Sequence, residues 1–101
     1  VAAVRVETEM EAPRGWVFRV AVESGGPGRG QEAEPTRHDV TLSWADYEYW
    51  SHGAVAPERV VKAVVEAVLA SRALDALPPR FDASTARRWV PDLDRIVREA
   101  M

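Results

Sequence analysis

The chain has no cysteine among its 101 residues. That excludes disulfides, thiolate nucleophiles and cysteine-ligated zinc. Lysine is almost absent: Lys62 stands against twelve arginines. Arginine suits carboxylate and phosphate forks, yet Ala, Val, Arg and Gly are all plentiful here, which reads as compositional bias. No long apolar run occurs. The most apolar-leaning stretch, Val60 to Ala70, is broken by Lys62 and Glu66, so no membrane span is expected. A basic region followed by an apolar run is also missing, so no signal peptide is read and a cytoplasmic location is the default expectation. A large excess of one sign of charge is missing too. The net charge is −3, spread as −2 over residues 1–34, −2 over 35–79 and +1 over 80–101. No segment forms a strong basic patch of the kind that holds a phosphate backbone.

The length fits a single domain, 1–101. An apolar share of 47% with 29% charged residues is ordinary for a folded chain. Residues 2–11 alternate: Val4, Val6, Thr8 and Met10 point one way, Arg5, Glu7, Glu9 and Glu11 the other, a period of two that marks a half-buried strand. Ala12-Pro13-Arg14-Gly15 is turn chemistry. From Trp16 the alternation resumes, with Trp16, Phe18, Val20 and Val22 on a strong apolar face. The two runs read as an antiparallel hairpin. Residues 24–36, rich in Gly and Pro, read as a flexible loop. Its glycines are followed by Gln31-Glu32-Ala33-Glu34-Pro35 rather than by a helix start with a Lys-Ser/Thr pair, so a phosphate-cradling role is not supported. Arg37 to Leu42 reads as a third strand.

Ser43-Trp44-Ala45-Asp46 fits a capping box. The Ser43 side chain can accept from the Asp46 N–H while the Asp46 carboxylate reaches back, a cap contributing about 1 kcal/mol. The short helix that follows should end near Ser51, with Gly53 as its left-handed stop. Pro57 opens the longest helix, expected to run to about Leu74, with Val60, Val61, Val64, Val65, Val68 and Leu69 forming a wide core-facing stripe. Pro78-Pro79 ends it. Phe81 reads as an anchor, Asp82 or Ser84 as the cap of a short helix over Ala83 to Trp89, and a last helix follows Pro91. Strands first and helices later imply an α+β domain: a three-stranded antiparallel sheet from the N-terminal half packed against C-terminal helices.

Two histidines and two carboxylates, His38, Asp39, Asp46 and His52, are the residues from which a base or metal site would have to come. The spacing argues against it, because His38 and Asp39 are strand neighbours that face opposite ways. Neither His-Glu-x-x-His nor Gly-x-Ser-x-Gly occurs, so no cofactor, metal or catalytic residue is assigned and the chain reads as non-enzymatic.

The aromatics carry the functional reading. Four of eight, Trp44, Tyr47, Tyr49 and Trp50, fall in one short stretch beside His52. Trp and Tyr are preferred interface anchors. Trp44 and Tyr47 are expected to cap the sheet core, whereas Tyr49 and Trp50 can face either core or partner. The leading expectation is a small protein-interaction or regulatory module, self-associating as a homodimer or binding another protein. The alternative is a nucleic-acid-linked regulator in which Arg87 and Arg88 hold phosphate while a base stacks on Trp89.

Val40-Thr41-Leu42-Ser43, then Asp46-Tyr47, then Pro57-Glu58-Arg59-Val60-Val61, and later Phe81-Asp82, resemble a group of short uncharacterised prokaryotic proteins over about two thirds of the chain. That resemblance implies a compact strand-then-helix domain and no activity. Gly15-Trp16-Val17-Phe18 opening a strand ahead of helices is also similar to small antitoxins of the HicB type, an analogy of fold alone.

Overall fold

A computed structural model describes residues 2–24, 35–71 and 77–101. The expected loop over 24–36 and the expected end of the long helix near Leu74 fall largely outside them. The class is α+β, as the order of patterns implies. Strands β1 (Ala2–Ala12), β2 (Gly15–Ser24) and β3 (Thr36–Ser43) precede helices α1 (Trp44–Ser51) and α2 (Pro57–Ser71). Then come a short strand β4 (Arg80–Asp82), a 3-10 turn (Ala83–Thr85), α3 (Ala86–Trp89) and α4 (Leu93–Ala100).

The sheet differs from the expected three antiparallel strands. Among the described residues it has four, in the order β1-β2-β3-β4, with β4 parallel to β3 through Asp39↔Arg80, Val40↔Phe81 and Thr41↔Asp82. Three residues cannot establish a periodicity, so only Phe81 announced this strand, and it is buried as an anchor should be. The crossing is held at its start by Asp39 N–H donating to the Pro79 carbonyl at 2.8 Å. His38 adds a second tie. Its Nδ1 lies 2.7 Å from the Pro78 carbonyl and its Nε2 2.8 Å from Thr36 Oγ1. Because a carbonyl only accepts, Nδ1 carries the proton and Nε2 accepts from the threonine in the neutral ring.

β1 also departs from simple alternation. Val4↔Val22 and Val6↔Val20 are followed by Thr8↔Arg19, Glu9↔Phe18 and Glu11↔Trp16, so Glu7 is an extra residue, a β-bulge. The bulge inverts the phase. Val4 and Val6 face the core, but beyond Glu7 it is Glu9 and Glu11 that share the core-side face, and Met10 lies on the outer face, 62% exposed. A bulge of this kind leaves no trace in polarity, which is why Met10 was expected beside Val4 and Val6.

The helices cover one face of the sheet. The α2 stripe (Val60, Val61, Val64, Val65, Val68) is buried against Phe18, Val20, Val40 and Leu42 of the sheet, with Leu93 and Val97 from α4 completing the core. Valine has poor intrinsic helix propensity, so packing rather than propensity holds α2. Among the described residues Gly15 is the one glycine whose lack of a side chain the packing demands: a Cβ there would overlap the Leu42 carbonyl. The outer face of the sheet carries ions paired among themselves. Arg5 bridges Glu23 and Glu7, Arg37 binds Glu7 at 2.9 Å, and Arg19 and Arg80 bind Asp39. Ala21 is buried beneath them. Among the described residues no helix is long and apolar enough to cross a membrane.

Candidate functional site

α1 begins as the sequence suggests and then diverges. Ser43 is the N-cap and accepts from Asp46 N–H at 3.1 Å. The reciprocal half of the capping box is not made, because the Asp46 carboxylate turns to Arg87 at 3.2 Å. At the other end His52, not Gly53, takes the left-handed C-cap position (φ 51°), and its N–H returns to the Glu48 carbonyl. Gly53 follows, also at positive φ. The His52 side chain stays exposed.

The four aromatic side chains separate. Tyr47 is buried as expected, its hydroxyl donating to the Val55 carbonyl. Trp50 is 1% exposed and belongs to the core. Tyr49 is 46% exposed. Trp44 corrects the expectation: it does not enter the core but is 56% exposed. As the first residue of an eight-residue helix it lies at the corner where β3 turns, its N–H tied to the Arg14 carbonyl at 2.8 Å. Its ring rests on buried Trp16 (centroids 4.5 Å) and meets Tyr47 edge-on. The ring is therefore fixed on one side and open on the other.

Behind α1 lies a charged clasp that sequence reasoning missed. Arg87 donates to Asp94 at 2.9 Å and to Asp46, and its guanidinium stacks over Trp50 at 4.5 Å and Tyr49 at 5.5 Å. Trp50 Nε1 donates to Asp94 at 2.7 Å. Arg98 stacks over Tyr49 at 4.5 Å and donates to its carbonyl. Burial pulls the Arg87 pKa down, but the bonds and charges of Asp94 and Asp46 outweigh it and raise it. Burial likewise pushes Asp94 up, and the bonds from Arg87 and Trp50 reverse this, leaving its carboxyl below the ordinary aspartate range. No sequence signal joins Arg87, Asp46 and Asp94, because they come from three helices.

This arrangement limits the chemistry. Both carboxylates bond to the same arginine, which ties them into the clasp. Asp46, Tyr49, Arg87 and Asp94 do line an open depression of about 410 Å³ together with Ala45, where Arg87 bonds to both carboxylates and the Tyr49 hydroxyl lies 3.4 Å from Asp94. The three residues of the nucleic-acid alternative are not assembled as one surface. Arg87 is held in the clasp, Arg88 is exposed, and Trp89 packs half-buried on Phe81 with centroids 5.3 Å apart. Among the described residues no group of three or more His, Asp or Glu side chains is placed to hold a metal.

In comparisons with known proteins no family model matches this chain, and no curated protein or solved structure matches it either.

Proposed function

We propose that the chain is a small non-enzymatic interaction module that recognises a protein partner through the aromatic corner of α1, with Trp44 as the anchor and Tyr49 as a flanking contact. The observation that carries this reading is the state of the Trp44 ring: more than half exposed, yet packed against Trp16 and Tyr47. A large apolar ring held in a fixed orientation loses little entropy on docking, which is how tryptophan becomes an interface hot spot. Tyr49 is similarly braced by Arg87 and Arg98. His52, exposed at the end of the same helix, can flank that surface; Tyr47 and Trp50 support it from beneath.

A photo-crosslinking amino acid placed at position 44 in cells tests the reading. A discrete crosslinked protein is expected there and not with the same probe at exposed Glu66 on α2. Identical patterns at both positions would overturn it. The nucleic-acid alternative has less support, since its central arginine already serves two carboxylates.

A further inference from the structure

Among the described residues β1 has a hydrogen-bonded neighbour on one side only, so its other edge is open along eleven residues. Beside that edge, between β1 and α2, lies a groove of about 450 Å³. Val4, Val6 and Ala63 contribute apolar lining, and Arg59 and Lys62 stand on its α2 side, flanked by Glu58 and Glu66. Neither cation makes an ion pair among the described residues, in contrast to the arginines of the outer sheet face. At the far end of the same strand Glu9 and Glu11 have the complementary property. They share the face of the groove, are exposed, and make no ion pair among the described residues.

An open edge invites a second strand, and the faces of β1 select how a second copy can supply it. In an antiparallel self-pairing, residues opposite one another lie on the same face. A regular strand would satisfy this with one residue opposite itself. Here the bulge places Glu7 and Thr8 together on the outer face. The pairing that keeps like faces opposite along the whole strand sets Val4 opposite Glu11, Arg5 opposite Met10 and Val6 opposite Glu9, with Glu7 and Thr8 meeting at the two-fold axis. A slip of one residue sets core-side residues against outer ones. A slip of two creates that mismatch at the bulge. The matched register carries Glu9 and Glu11 of each copy over Val6 and Val4 of the other, beside Lys62 and Arg59.

We infer that this protein forms a two-fold dimer by antiparallel pairing of β1 with β1, locked by Glu9 and Glu11 of each copy against Lys62 and Arg59 of the other. The two sheets then become one of eight strands, and the bulge, elsewhere a device against edge pairing, sets the register. An interface built on one strand pair is at the small end of the stable range, and one locked by exposed charges weakens with salt. The inference uses different side chains from the Trp44 corner and stands independently of its role.

Sedimentation equilibrium of the purified chain over a concentration series at low and high salt is the test. A salt-sensitive monomer–dimer equilibrium is expected for the wild type. Arg59→Glu with Lys62→Glu should weaken it about tenfold or more, as should Glu9→Lys with Glu11→Lys, while circular dichroism spectra stay unchanged. The chain carrying all four reversals should dimerise again, and Trp44→Ala should dimerise as the wild type does. A wild type that stays monomeric at millimolar concentration in low salt would overturn the inference. So would a dimer indifferent to both charge reversals, or a four-reversal chain that remains monomeric.

Discussion

The indole Nε1 of Trp50 donates to Asp94 Oδ1 at 2.7 Å, joining α1 to α4 across 44 positions of sequence. Among the described residues Trp50 is the largest fully buried side chain, and Arg87 closes over it while binding the same Asp94 oxygen. Trp50→Phe keeps an aromatic ring but removes the donor. A cost of about 1–3 kcal/mol is expected, part from the lost charge-assisted bond and part from the smaller ring. Urea denaturation measures it. In a double-mutant cycle with Arg87→Leu the two effects should not add, because both act on one carboxylate.

The same clasp gives the fold a pH dependence whose sign is fixed. Burial alone would raise the Asp94 pKa, but the bonds from Arg87, Trp50 and Tyr49 and the charge of Arg87 lower it below the ordinary value of 3.8. A carboxyl depressed in the folded state stabilises fully above its unfolded pKa, and that contribution is lost as pH falls through the folded one. Asp94→Asn should therefore cost about 1–2 kcal/mol near neutral pH, discounted for its partial exposure. The gap between variant and wild type should stay constant down to about pH 5 and close progressively below 3.8. A gap that widened in acid would contradict this assignment. Glu7, lowered first by its bond to Arg37, has the same sign but sits in water and adds little.

Sequence reasoning recovered what is written in local period and turn chemistry, and lost what is written across elements. The hairpin, the Ser43 cap, the Pro57 start and the valine stripe of α2 each depend on residues close in sequence, and each is where the pattern put it. The parallel strand β4 depends on β3, whose paired residues lie 41 positions away, and has only Phe81 to mark it. The bulge at Glu7 depends on which residue of β2 lies opposite. Of the candidate site, Tyr47 was read correctly as core, while Trp44 was assigned there because its helical spacing matches Tyr47. Its position at N1, where the chain has only just left the sheet, overrides that spacing. The aromatic density was visible; the Arg87 clasp that divides it into core and surface was not.

His38, once a candidate base, has a structural explanation with its own test. Both ring nitrogens are engaged, one with the Pro78 carbonyl and one with Thr36, and the ring is 5% exposed. His38→Leu keeps bulk but leaves the Pro78 carbonyl without its donor, at a cost of about 1–3 kcal/mol. His38→Gln, whose amide N–H can take the place of Nδ1, should recover part of it. Thermal melts of the wild type with and without a chelator should coincide. A melting temperature lowered by the chelator would show that this histidine does more than tie β3 to the crossing.

Trp16 and Trp44 touch, yet the two should respond unequally to truncation. Trp16 is buried at the hairpin base, contacting Phe18 and Tyr47 as well as Trp44, and its removal opens a cavity between sheet and α1. Trp16→Ala should cost about 3–5 kcal/mol, enough to unfold much of the population of a marginal domain. Trp44 touches Trp16 and Tyr47 with one side of its ring and is 56% exposed, so Trp44→Ala should cost about 1 kcal/mol. Denaturant curves of both variants decide the matter. A ring retained for stability gives equal losses at the two positions. A ring held out for a partner gives a large loss at Trp16 and a small one at Trp44, and that asymmetry is the signature expected of an aromatic side chain whose free face has work elsewhere.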